Sequence, residues 1–159
     1  MIYQLPTHNR PFFQIFTMSS QTDPQNPYAA VHANPQGEGD ARPTALQIIK
    51  DENLINKMTD KVMLVTGASS GIGIETVRAL HATGAHILMG VRDMKRGQEV
   101  LDSVKSSSEG TGEIDLLFME LDSFASIRAA VDEFLKKSGK LNVLVNNAGN
   151  SMLCSSRSR

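Results

Sequence analysis

The chain has 159 residues, enough for one domain of ordinary size. A formal net charge of −1 with 21% charged residues provides neither a basic field for nucleic acid nor an acidic tail. A single cysteine, Cys154, excludes an internal disulfide and a four-thiolate zinc site, and no apolar run approaches the roughly 20 residues needed to span a bilayer.

Residues 1–41 are rich in Pro, Gln, Asn, Ser and Gly and are expected to be disordered, since they carry too little apolar surface to hold a shape. Phe12, Phe13, Ile15 and Phe16 lie near the start, but Pro6 and Pro11 interrupt them, and no secretory signal is expected. The lack of acids before Asp23 leaves a mitochondrial presequence open; the cytoplasm is the default expectation. Met18 is an alternative start. Residues 42–60 form a lead-in, with a short helix expected from Arg42 to Asn53. Pro43 suits its first turn, and Leu46, Ile48 and Ile49 give it one apolar side.

From Lys61 the chain alternates between strand-like and helix-like segments. Val62 to Thr66 is an apolar strand. A helix is expected from Ile74 to Thr83, with Ile74, Val77 and Leu80 on one side and Gly84 as its stop. His86 to Val91 reads as the second strand, and Met94 to about Lys105 as a helix with Val100, Leu101 and Val104 apolar. Residues 106–112 are a loop by composition. Ile114 to Leu121 is a third strand. Asp122 and Ser123 then cap a helix whose Ile127, Ala130, Val131, Phe134 and Leu135 face inward and which Gly139 ends. Leu141 to Val145 is the fourth strand.

Continuous apolar strands alternating with helices predict a parallel sheet covered on both faces. Right-handed crossovers then give an α/β, Rossmann-type, doubly wound sheet of strand order 3-2-1-4, spanning residues 61–149. Residues 150–159 have neither a helical nor a strand period and are expected to be an unstructured tail.

The segment Thr66-Gly67-Ala68-Ser69-Ser70-Gly71-Ile72-Gly73 follows a strand and opens a helix. That context makes a glycine-rich turn a phosphate site: free N–H groups and the positive end of the helix dipole converge on an anion. Glycines there serve the tight turn, the close approach of backbone to pyrophosphate, and helix–strand contact. The pattern G-x-x-x-G-x-G, followed by Asn146-Asn147-Ala148-Gly149 after the fourth strand and Asp122 after the third, resembles the short-chain dehydrogenase/reductase family. The resemblance implies a nicotinamide dinucleotide cofactor. Residues Thr66, Gly67, Ser69, Ser70, Gly71, Ile72 and Gly73 would hold its pyrophosphate. Asp122, with Ser123 beside it, would meet the adenine amino group, and Asn146, Asn147, Ala148 and Gly149 would line the adenosine ribose. Asp122 also reads as a helix N-cap.

The end of the second strand selects the cofactor. An acid there binds the ribose 2′-hydroxyl of NAD, and an arginine suits the 2′-phosphate of NADP. Val91 stands where the acid would be and Arg92 follows it, so NADP(H) is the preferred cofactor, with NAD(H) possible through Asp93. Asp93 reads equally as a helix cap. The stretch Gly90-Val91-Arg92-Asp93 is similar to retinol-dehydrogenase-like members of the family.

The family's catalysis uses a Tyr-x-x-x-Lys pair and a serine beyond the fourth strand. Here the tyrosines are Tyr3 and Tyr28, and Thr7 and His32 stand four residues on. No catalytic residue is therefore assigned, and the chain reads as a cofactor-binding half cut short before the catalytic elements and the family's dimer helices. The alternative is a nucleotide-binding or regulatory fragment without turnover. The fourth strand, left as an apolar edge, is expected to promote self-association. His8, His32, His81 and His86 show no metal-ligand spacing, and no metal is expected. Ser69 and Ser70 have no histidine at a spacing that would make either a nucleophile.

Overall fold

The structure, a computed structural model, describes residues 27–149 and divides into two units at Arg42–Pro43. The expectations for residues 1–26 and 150–159 lie outside the described residues. In the first unit, one helical turn, α1 (Ala29–His32), precedes a loop organised by a single carboxylate. Asp40 accepts hydrogen bonds from the backbone N–H groups of Gln36 (2.8 Å), Gly37 (3.2 Å) and Arg42 (3.0 Å), and from Arg42 Nε at 2.8 Å. The Arg42 hydrogen bonds hold the Asp40 carboxyl well below the usual carboxylate range. Composition predicts disorder as far as residue 41. Within that segment, local side-chain hydrogen bonds shape a turn at residues 36–42.

The second unit begins with α2 (Ala45–Asp51), which is shorter than the predicted Arg42–Asn53. The Thr44 hydroxyl accepts from Gln47 N and fixes the N-cap there, leaving Pro43 outside the helix. The sheet has four parallel strands, β1 (Val62–Thr66), β2 (His86–Val91), β3 (Ile114–Phe118) and β4 (Val143–Val145), in the order β3-β2-β1-β4. That is the predicted order. The connecting helices are α3 (Ile72–Ala82), α4 (Met94–Ser107) and α5 (Phe124–Lys137).

Side-chain alternation along the strands makes two cores. Met63, Val65, Ile87, Met89 and Val91 project to one face, where Val77 of α3 and Val100, Leu101 and Val104 of α4 cover them. Val62, Leu64, Leu88 and Leu117 project to the other, against Ala130 and Phe134 of α5. Two residues expected to face inward, Val131 and Leu135, are 48% and 60% exposed. They form, with Phe124, a second apolar stripe on α5 at spacings of seven and four, while Ile127, Ala130 and Phe134 take the sheet-facing side. β4 likewise leaves Val143 and Leu144 exposed.

Strand ends fall where their partners end. β3 stops at Phe118, short of the predicted Leu121, because Met119 N reaches the carbonyl of Val91, the last residue of β2. Pairing of β4 starts above Leu141 because β1 starts at Val62, whose N–H and C=O are both taken by Asn142. The second domain helix runs past Lys105 to Ser107. There the Ser106 and Ser107 hydroxyls donate to the Ser103 carbonyl, and Arg78 of α3 hydrogen-bonds Ser107. Among the described residues no helix is long and apolar enough to cross a membrane.

Two histidines have fixed partners. His81, at the end of α3, is buried, with Nε2 2.9 Å from the Gly112 carbonyl. His86 opens β2, and its Nε2 lies 2.8 Å from Asp115 Oδ2; Lys137, in the last turn of α5, donates to Oδ1 at 3.3 Å. Burial raises the Asp115 carboxyl, but the hydrogen bonds from His86 and Lys137 outweigh it and leave the group below its ordinary value. A carboxyl depressed in the folded state stabilises the fold above its unfolded pKa, and that contribution disappears as pH falls through the folded value. Asp115→Asn is therefore expected to lower the denaturant midpoint at pH 7. The gap from the parent should close below about pH 4 in melts run across the acid range.

Candidate functional site

In a parallel sheet all strands end at the same edge, and the candidate residues collect there. Thr66 closes β1, Arg92 follows β2, Asp122 and Ser123 follow β3, and residues 146–149 follow β4. The chain leaves β1 through Gly67 at φ 65° and enters α3 through Gly71 at φ 55°, both in the left-handed region that glycine adopts without strain. Helix α3 therefore starts at Ile72, two residues before the predicted Ile74, and takes Ile72 and Gly73 into its first turn.

The N-terminus of α3 differs chemically from the others in this unit. Thr44, Asp93 and Ser123 cap α2, α4 and α5 through their side chains. Gly71 caps α3 with no side chain at all. The first-turn N–H groups of a helix have no intrahelical partner, so this end is left for an external acceptor. A Cβ added to Gly71 would meet nothing within 4 Å, which leaves room in front of the turn. Ser70, Gly71 and Ile72 are exposed; Ser69 is half-buried.

Behind the turn there is no such room. A Cβ on Gly67 would stand 2.8 Å from Ala148 Cα, and one on Gly73 would stand 2.7 Å from Asn147 Nδ2 and fall on the Gly67 carbonyl oxygen. The Asn147 carboxamide donates to the carbonyls of Thr66 (3.0 Å) and Gly67 (3.2 Å), and Ala148 N donates to Thr66 Oγ1 at 3.1 Å. The Thr66 hydroxyl in turn donates to the Val145 carbonyl at 3.4 Å. The two sequence motifs are thus one interlocked unit. Sequence reading missed Gly90, whose carbonyl accepts from Gly67 N at 2.9 Å and ties the turn to β2; nothing in its local pattern marks it.

The remaining candidates sort clearly. Asn146 and Gly149 are exposed and take no part in the clamp. Asp93 accepts from Arg96 N and caps α4, the second of its two sequence readings, while Arg92 stands exposed beside it. Ser123, not Asp122, caps α5; Asp122 is exposed in the loop after β3.

The model described as short chain dehydrogenase matches residues 61–158. The chain belongs to the short-chain dehydrogenase family. The matched range runs beyond Gly149 through most of the tail that the sequence reading set outside the domain. Short-chain dehydrogenase/reductase prx1 of Penicillium rubens is 49% identical over 128 residues, covering 80% of this chain and 36% of prx1. A match of that length extends upstream of Lys61 and takes in α2. Retinol dehydrogenase 12 of Mus musculus is 35% identical over 94 residues, 59% of this chain and 29% of that protein. A solved metagenomic short-chain oxidoreductase in complex with NADP aligns with a TM-score of 0.52 at 33% identity, covering 57% of this chain and 39% of that one. The chain thus spans roughly a third of the length of these curated relatives.

The clamp makes two substitutions informative. Asn147→Ala leaves two carbonyls without their donor and is expected to cost about 1–3 kcal/mol of stability. Gly73→Ala drives a methyl into the Gly67 carbonyl and should cost at least as much. Denaturant melts of the two variants beside the parent check both; a neutral Gly73→Ala would contradict the packing described here.

Proposed function

We propose that this chain is the NADP(H)-binding half of a short-chain dehydrogenase/reductase that acts on an alcohol or carbonyl substrate. The observation that carries the reading is the helix start at Gly71: it has no capping side chain, it has open space in front, and it is held rigidly from behind by Asn147. Such a cradle suits a pyrophosphate, with Thr66, Gly67, Ser69, Ser70, Gly71, Ile72 and Gly73 around it. Arg92, an exposed cation after the end of β2, suits a ribose 2′-phosphate, whereas Asp93 is occupied as a helix cap. The adenine amino group falls to Asp122 and Ser123, and the adenosine ribose to the backbone of Asn146 through Gly149. When bound, the nicotinamide supplies hydride transfer. The described residues contribute binding and orientation.

A second reading is favoured by one observation. None of the tyrosines in these 159 residues stands four before a lysine, so the family's acid–base pair is not among them. On this reading the chain binds the dinucleotide without turning over substrate.

Both readings share a binding test. NADPH should bind more tightly than NADH in calorimetric titration. Arg92→Ala should weaken NADPH by about 10- to 100-fold, the range of a lost charge-assisted hydrogen bond, and leave NADH unchanged. Equal affinity for the two cofactors in the parent would refute the assignment of Arg92. On either reading the 159 residues alone should oxidise no NADPH against aldehyde, ketone and quinone panels, because a missing general acid–base group alone removes about 10²–10⁴-fold.

A further inference from the structure

At the opposite end of the sheet, where β2 and β3 begin, the fold gathers three metal-ligating side chains. His86 opens β2, Glu113 immediately precedes β3, and Asp115 is the second residue of β3. The pairing of Ile87 with Ile114 and the hydrogen bond from Ile87 N to the Glu113 carbonyl (2.8 Å) set His86 beside Glu113. The two-residue period of a strand then places all three side chains on the face that carries α5. One donor atom from each lies within 4.8 Å of the other two. His86 and Asp115 are half-buried and Glu113 is exposed, so the cluster is open to solvent on one side.

The cluster already attracts a cation. Lys137 Nζ sits 3.3 Å from Asp115 Oδ1, and two carboxylates against one ammonium leave a residual negative charge beside the imidazole. We propose that His86, Glu113 and Asp115 form a binding site for a divalent transition-metal ion of the zinc class. One imidazole nitrogen with two carboxylate oxygens suits zinc, with water completing a tetrahedron, whereas calcium and magnesium take oxygen ligands alone. Neighbouring strands of fixed register supply all three ligands, so little backbone ordering accompanies binding. The ion and the Lys137 ammonium compete for the Asp115 carboxylate. The whole of β2 separates the cluster from the glycine turn, so the ion ties β2 to β3 and takes no part in nucleotide binding.

The test uses the full chain, stripped with a chelator and dialysed, then titrated with zinc by calorimetry and with cobalt(II) by visible absorption. One equivalent should bind, with a cobalt ligand-field band. Outer-shell partners of metal sites are worth about 10–100-fold in affinity, so removing a ligand through His86→Gln or Asp115→Asn should weaken binding at least about tenfold. Lys137→Met keeps every ligand and removes the competing ammonium; it should tighten binding severalfold, which keeps the test decisive where a ligand variant fails to fold. Absence of zinc binding, parent-like affinity in a folded His86→Gln chain, or weaker binding in a folded Lys137→Met chain would each overturn the proposal.

Discussion

The side-chain carboxamide of Asn147 is the contact on which the rest of the site depends. It reaches back from the end of β4 to the carbonyls of Thr66 and Gly67 at the point where β1 gives way to the helix. Those carbonyls would otherwise turn away from their strand without a donor, a costly arrangement next to the buried end of β1. The contact also fixes the depth at which the glycine turn sits, because Gly67 and Gly73 are pressed against Ala148 and Asn147 with no space for a Cβ. The glycines in this turn therefore divide by role. Gly67 and Gly73 have none to spare behind them, and Gly71 keeps the front of the helix bare.

The sheet supplies the rigidity that this arrangement needs. Strands β1 and β2 are buried almost throughout, and the face under α3 and α4 is packed by a continuous cluster from Met63 to Ile114. The face under α5 is thinner: Ala130 is the only buried residue of that helix. The contrast follows from sequence, since α5 divides its apolar residues between two stripes and only one of them meets the sheet. The edge proposed to hold the cofactor thus rests on the better-packed half of the sheet, at β1, β2 and the start of α3.

Much of this was legible in the chain itself. Four apolar runs with helical periods between them specify a parallel sheet and its order, because handedness and short connections leave few other windings. The glycine spacing and the Asn146-Asn147-Ala148-Gly149 motif marked the candidate site, and the structure brings the two together. Which of the two asparagines reaches the turn was not legible, since that depends on the direction of successive side chains leaving β4. The same limit hid the ends of β3 and β4, which are set by where β2 and β1 stop. Local propensity does not encode a partner's length. The roles of Asp93 and Ser123 as caps were among the readings of the sequence, and backbone geometry chose between them. The His86, Glu113 and Asp115 cluster was missed because its members come from two strands, with Asp115 29 residues beyond His86, and only register brings them together.

The central claim is that a dinucleotide sits at the bare N-terminus of α3, against the loop that Asn147 anchors. Backbone amide chemical shifts recorded while NADPH is added to the isotopically labelled chain test it most directly. The account predicts large, saturable shifts for Ser69 through Gly73, for Arg92 and for Asn146 through Gly149, with His86 and Glu113 at the far end of the sheet unmoved. Saturable binding that leaves the amides of Ser69 through Gly73 unshifted, or no binding by a folded chain, would contradict it.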